Sequence, residues 1–275
     1  MNTKKIGFIG GGNMASSLIK GLIVSGHSAS QIWVSDTNKD ALQSLVSNLK
    51  VNVTSNNDEL VQYVDVVVLA IKPQVMQAVV EGLDKEGVNK QLLFVSIAAG
   101  ISQSSLAEWL GEDVAIVRCM PNTPALVLTG ATALHANERV TGEQKDLAEN
   151  ILRAVGISLW VEKESELDAV TAVSGSGPAY YFLLMEAMEE AAIQMGLCEK
   201  TARLLIQQTA LGAAKIALES EDTPAELRRK VTSPGGTTEQ AIKTFEEGGF
   251  SSLVSQALHA ARDRSTEMSK ELGGK

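Results

Sequence analysis

Two glycine-rich stretches of this chain have the composition of anion-binding turns. Near the start, "FIGGGNMA" sets Gly10, Gly12 and Ala15 in a G-x-G-x-x-A spacing between a strand-like and a helix-like run. The first glycine permits a tight turn, and the second lets backbone approach a pyrophosphate. The small third residue lets the helix pack close to the strand. Amides of the first helical turn then point at the phosphates. Asp36 follows at the end of a second strand-like run, where a carboxylate accepts a ribose 2′-hydroxyl and repels a 2′-phosphate. Ser35, Thr37, Asn38 and Lys39 surround it with donors and one cation, able to cradle that phosphate if Asp36 turns away. These residues point to a dinucleotide and leave NADH and NADPH open.

The second stretch, "TSPGGTTEQA" (Thr232 to Ala241), again runs from glycines into hydroxyls and a helix-like segment. Three further segments have chemical texture: "AIKP" (Ala70–Pro73), "MPNTPA" (Met120–Ala125) and "VSGSGPAYY" (Val173–Tyr181). The first two close apolar strand-like runs, and open α/β sheets bind ligands at the carboxyl ends of their strands. What is missing also informs. No lysine lies in "SGSGPAYYFLLMEAMEEAAIQMG", and no histidine between His135 and His259. A dehydrogenase of alcohols needs a general acid–base, usually His or Lys. Reduction of a C=N bond demands less, because an imine is basic enough to arrive protonated. Such a site needs a hydride donor, donors for a substrate anion, and one hydroxyl near the nitrogen. "SPGGTT" supplies amides around Gly236 to Thr238 and a threonine hydroxyl, so the second turn is read as holding a substrate carboxylate.

The elements that must position these residues fall into two textures. Up to residue 163, β-branched runs at 4–10, 31–36, 64–71, 92–100, 114–120 and 131–136 alternate with helix-compatible stretches at 14–25, 39–48, 74–83 and 103–110. That alternation predicts βαβ units and a mostly parallel Rossmann-type sheet over 1–163. "DVVVLAI" lacks polar alternation, as a strand covered on both faces requires. Over 164–275 the strand texture disappears, and long helices are expected at 177–196, 199–220 and 250–272. Along 199–220 the apolar residues occupy more than one stripe, so that helix must be buried on several sides, within its own domain or against another subunit.

Composition sets the outer limits. With 33 acidic and 24 basic residues among 275, the formal charge is −9, which argues against nonspecific binding to nucleic acid or anionic membranes. The apolar part of "MNTKKIGFIGGGNM" is too short and glycine-broken for a signal peptide, and no run of about 18 apolar residues appears. A cytoplasmic protein is expected. Cys119 and Cys198 read as two buried reduced thiols, and three scattered histidines give no zinc-ligand pattern, so no metal is expected.

Taken in order, "FIGGGNM", "AIKP", "IAAG", "RCMPNTPA", "VSGSGPAY", "GAAK" and "SPGGTT" closely resemble the pyrroline-5-carboxylate reductase family, from Lys5 to about Glu271. The resemblance implies a Rossmann domain followed by an all-helical dimerisation domain, in homodimers that often assemble further, commonly into decamers. It implies NAD(P)H, usually NADPH, reducing 1-pyrroline-5-carboxylate to L-proline, the last step of proline biosynthesis. By matching motif, Gly10, Gly11, Gly12, Asn13 and Met14 should hold the pyrophosphate, and Ser35, Asp36, Thr37 and Asn57 the adenosine side. Ala70, Lys72, Pro73, Ala98, Ala99 and Asn122 should lie around the nicotinamide half. Gly236, Thr237 and Thr238 should bind the substrate carboxylate, with the Thr238 hydroxyl near the imine nitrogen. Ser176 should help close the pocket, and Glu221 matches a position near the active site. Asp36 departs from an NADP-selective pattern and keeps NADH open as a donor.

Two rival readings are distinguishable. A hydroxyacid dehydrogenase of the Rossmann-plus-helices type should carry a catalytic lysine on the first helix of its second domain, and none occurs between Lys163 and Lys200. A nonenzymatic NADP(H) sensor would keep the first turn with no need of "SPGGTT" and "SGSGPAY" together.

Overall fold

The computed structural model describes residues 4–84 and 91–273. Strands β1 (Ile6–Ile9), β2 (Ile32–Ser35), β3 (Asn52–Thr54), β4 (Val66–Leu69), β5 (Leu93–Ser96), β6 (Ala115–Met120), β7 (Gly130–Ala136) and β8 (Gly156–Trp160) form one sheet. Its order is β3-β2-β1-β4-β5-β6-β7-β8. From β3 to β6 every pair is parallel, because each return passes through a helix. Between β6 and β7 lies only a short loop with a 3₁₀ turn (Thr123–Val127), too short for a crossover, and this pair is antiparallel. The helix Gly142–Arg153 then makes β8 parallel to β7. The sheet is therefore mostly parallel, as the alternating texture implied.

All four residues of β1, β4 and β5 are buried. Val66 and Val68 pack with helix Asn13–Val24 on one face, while Val67 and Leu69 join helices Asn57–Tyr63, Pro73–Glu81 and Gln103–Leu110 on the other. Period-two side chains on a doubly covered sheet explain the unbroken apolar run of "DVVVLAI". Two strands were not legible in the sequence. β3 has three residues, and the edge strand β8 is half-buried and exposed in alternation.

Two compact units result. One runs to Ser176 and takes up the chain again from Ala260; the other is Gly177–His259. In the first unit the end of helix Phe250–Leu272 is fastened by Ser265 Oγ and Thr266 Oγ1, which donate to the Asp168 carboxylate at 2.7 and 2.9 Å. Gly100, with φ +72°, makes a close approach there, since a Cβ on it would lie 3.2 Å from Met268 Cβ. The second unit is helical: Gly177–Gln194, Glu199–Glu219, Pro224–Lys230 and Thr237–Glu247, leading into Phe250–Leu272. Gly196, at φ +99°, ends the first of these, as its position foretold. In the single chain Phe182 is 64% and Leu218 84% exposed, so the several apolar stripes of these helices are not satisfied within the unit. Cys198 corrects one expectation. Cys119 is buried, but Cys198 is exposed at the start of helix Glu199–Glu219, because its apolar neighbours in sequence face outward.

His27 is buried in the first unit, and neither ring nitrogen has a hydrogen-bond partner among the described residues. Burial, ahead of any other cause, holds its pKa below the ordinary histidine value. A ring that is harder to protonate in the folded state contributes stability above its unfolded pKa, about 6.5, and loses it as pH falls below that value. The unfolding free energy of wild type relative to His27→Phe should therefore drop between about pH 7 and 5 in urea titrations. A difference that stays constant with pH would mean that His27 does not titrate with unfolding.

Candidate active site

The first glycine turn is built by close approach. Gly10 N–H donates to Ser35 O at 2.8 Å, its φ is +102°, and a Cβ there would lie 2.5 Å from Ala70 O. Only glycine suits this point between β2, β1 and β4, where the strand order reverses and dinucleotides bind. A Cβ on Gly12 would meet nothing within 4 Å, so the approach above it is open. Gly12 is also the N-cap of helix Asn13–Val24 and makes no side-chain cap, which leaves the amides of Asn13 and Met14 to an anion. A pyrophosphate fits this cradle.

Beside it lies a cavity of about 270 Å³ lined by Gly10, Ser35, Asp36, Thr37, Ser55 and Asn57, with Val75 and Val79 on its apolar side. The structure thus brings together the residues expected at the adenosine side and adds Ser55 and the two valines. The Asp36 carboxylate faces inward. Oδ2 accepts from Gly11 N–H at 2.6 Å and Oδ1 from Asn38 N–H at 2.8 Å, so one side chain ties the phosphate turn to the ribose loop. Ser35 Oγ donates to Asn57 Oδ1 at 2.6 Å, joining the ends of β2 and of the segment after β3. Asn38 caps helix Lys39–Leu49 through Asp40 N–H and Ala41 N–H, which removes those amides from any phosphate.

Of the remaining expected positions in this unit, half-buried Ser176 follows the π-helical turn Thr171–Gly175, and the others stand at the carboxyl ends of parallel strands. Ala70 follows β4 and donates to Ile9 O at 2.8 Å. Lys72 is exposed, is the N-cap of helix Pro73–Glu81 without a side-chain bond, and Pro73 occupies its first turn. Buried Ala98 and half-buried Ala99 form the turn after β5. Asn122, buried after β6, spends its amide inside the protein: Oδ1 accepts from Ala131 N–H at 2.9 Å and Nδ2 donates to Ser174 O at 3.1 Å. Sequence reading passed over the support of the β5 turn. Glu164 Oε1 accepts from the Arg118 guanidinium at 2.8 Å and from Gln103 N–H at 2.7 Å, and the Gln103 amide donates to Ile116 O and His135 O. The buried arginine in "RCMPN" was the available signal.

In the second unit, Gly236 is the N-cap of helix Thr237–Glu247 and again offers no side-chain cap. Gly235, at φ +70°, donates its N–H to Glu239 Oε2 at 2.8 Å, and Gly236 N–H donates to Ser233 O at 3.0 Å, which fixes the turn. Thr237 is exposed and Thr238 half-buried. Glu221 is exposed in the bend before helix Pro224–Lys230, which is joined to Thr237–Glu247 by the Arg228–Glu246 ion pair at 2.7 Å. Elsewhere helix starts are closed by Asn38, Asn56, Ser102, Thr141 and Thr223. Helix Glu199–Glu219 is also uncapped by a side chain, so an open terminus alone does not mark a site.

Comparison with known proteins bears on this arrangement. Residues 164–268 match the family model described as pyrroline-5-carboxylate reductase dimerisation, and residues 5–100 match that of NADP oxidoreductase, coenzyme F420-dependent. A pyrroline-5-carboxylate reductase from Pseudomonas aeruginosa is 53% identical over 273 residues, covering 99% of this chain and 100% of that protein. The chain belongs to the pyrroline-5-carboxylate reductase family. The Escherichia coli reductase is 40% identical over 268 residues, covering 97% of this chain and 99% of its own. A solved reductase structure from Coxiella burnetii matches with a TM-score of 0.93 at 48% identity, over 98% of this chain and 99% of that one. The Plasmodium falciparum enzyme, solved with NADP bound, matches at 0.87 and 30% identity, covering 98% and 99%. Among the described residues no helix is long and apolar enough to cross a membrane.

Gly10→Ala should test the first turn. Strain at positive φ and collision with Ala70 O cost on the order of 1–3 kcal/mol, so the reduced dinucleotide should bind roughly 10- to 100-fold more weakly by fluorescence titration. Unchanged affinity would place the pyrophosphate elsewhere.

Proposed function

We propose that this chain reduces the C=N bond of 1-pyrroline-5-carboxylate to L-proline with NAD(P)H, the final step of proline biosynthesis. The observation that carries the reading is the "SPGGTT" turn: an open helix N-terminus, rigidly held, with a threonine hydroxyl in its first turn. Backbone amides at Thr237 and Thr238 bind the substrate carboxylate, favoured by the positive end of the helix dipole, and Gly236, whose own N–H is held by Ser233 O, shapes the turn against it. The Thr238 hydroxyl hydrogen-bonds at the imine nitrogen and steadies its protonated form. Ser176 closes the pocket, and Glu221 lies near it. Gly10 to Met14 hold the pyrophosphate, with Ser35, Asp36, Thr37 and Asn57 on the adenosine side. Ala70, Lys72, Pro73, Ala98 and Ala99 surround the nicotinamide half, and Asn122, its amide bonded to backbone on both sides, stands behind them. When bound, the reduced nicotinamide supplies the hydride. No lysine or histidine base is required, which agrees with their absence from the hinge segment.

NADPH is the proposed donor, with Asp36 keeping NADH competitive, since its carboxylate lines the adenosine-side cavity. The chain works as a cytoplasmic homodimer or a higher homo-oligomer such as a decamer, joined through the exposed apolar faces of its helical unit.

Oxidation of NADPH and NADH with the cyclic imine and with a panel of 2-keto acids tests the reading directly. Turnover confined to the imine is expected; silence with it despite cofactor binding would refute the assignment. Thr238→Ala should lower kcat/KM for the imine by roughly 10- to 1000-fold, the scale of losing an active-site donor, and leave cofactor affinity nearly unchanged. An unaltered kcat/KM would remove Thr238 from the chemistry. Asp36→Ala should weaken both cofactors by freeing Gly11 and Asn38, yet raise the ratio of NADPH to NADH efficiency. A constant ratio would show that the carboxylate does not meet the ribose.

A further inference from the structure

Asn122 is a buried polar residue of the site whose side-chain oxygen and nitrogen each bond to backbone, and its partner is unusual. Residues Thr171–Gly175 form a π-helical turn, closed by Ser176 N–H donating to Thr171 O at 2.8 Å. Such turns are rare and recur at functional sites. Within it stands Ser174. In a continuing α-helix its carbonyl would accept from residue 178, but residue 178 is proline and has no N–H. The donor comes instead from Asn122 Nδ2, 3.1 Å away. The other end of the same amide is anchored by Ala131 N–H at 2.9 Å, so the side chain cannot swing away without giving up its bonds to two half-buried backbone groups. Met120 packs on the same turn, with its Cε 2.5 Å from where a Cβ on Gly175 would lie.

We infer that Asn122 is a positioning residue that replaces the missing amide of Pro178, holding the π turn so that Ser176 is presented in one fixed place. The inference rests on the role of Ser176 given under the proposed function. Asn122 contributes to the reaction through the Ser174 carbonyl and not by touching the cofactor.

The test is a double-mutant cycle of Asn122→Ala with Pro178→Ala, since alanine at 178 restores a backbone N–H for Ser174 O. In the wild-type background Asn122→Ala should speed amide exchange at Ser176 and lower kcat/KM for the imine on the order of tenfold. In the Pro178→Ala background both effects should be much smaller. The dissociation constant for NADPH should stay the same throughout. Equal losses in both backgrounds, a matching loss of NADPH affinity, or no effect of Asn122→Ala would each overturn the inference. If Asn122→Ala does not fold, Asn122→Ser enters the same cycle. Should wild type fail to reduce the imine, the proposed function fails on its own, and the Ser176 exchange comparison still decides the role of Asn122.

Discussion

The near-contact of Gly10 with Ala70 O is the constraint on which the rest of the cofactor side depends. A backbone with φ +102° and no room for a Cβ lets β1 turn sharply at the point where the strand order reverses. Because the turn is this tight, Gly10 N–H meets Ser35 O, and Gly11 N–H meets the Asp36 carboxylate. Three strand ends are thereby locked before any ligand arrives. Asp36 is consequently a loop clamp, with both carboxylate oxygens accepting from backbone amides.

Helix termini show how the chain divides stability from binding. Side-chain caps at Asn38, Asn56, Ser102, Thr141 and Thr223 each contribute about 1 kcal/mol. Gly12 and Gly236 forgo that contribution and leave the first helical turn after each of them without a side-chain cap. Both are preceded by glycine geometry that keeps backbone, not side chain, at the surface where an anion would sit.

Away from the glycines, polar bonds between distant segments hold the strand-end loops. The Arg118–Glu164 pair, with Gln103, fixes the start of the helix after the β5 turn, while Asp168 receives Ser265 and Thr266 from the last helix. A mostly buried ion pair gives little net stability, because desolvation offsets its attraction. Here it links β6, the β5 loop and the segment after β8, each of which carries or borders a proposed site residue.

Local chemistry determined much of this protein from its sequence alone. Glycine spacing, apolar runs without alternation and proline–glycine punctuation located six of the strands, the long helices and the two glycine turns that lead into helices, because each depends on residues adjacent in the chain. Three-residue β3 and the alternating edge strand β8 were too weak locally to register, and helix Gly142–Arg153 between β7 and β8 was passed over. Only tertiary structure decided that β7 runs antiparallel, that Cys198 is exposed, and that Asp36 is held by Gly11 and Asn38. It likewise matched the donor of Asn122 to a carbonyl left open by Pro178. These are pairings between groups far apart in sequence, and a pairing is set by which backbone comes within about 3 Å, a distance that no residue type encodes by itself.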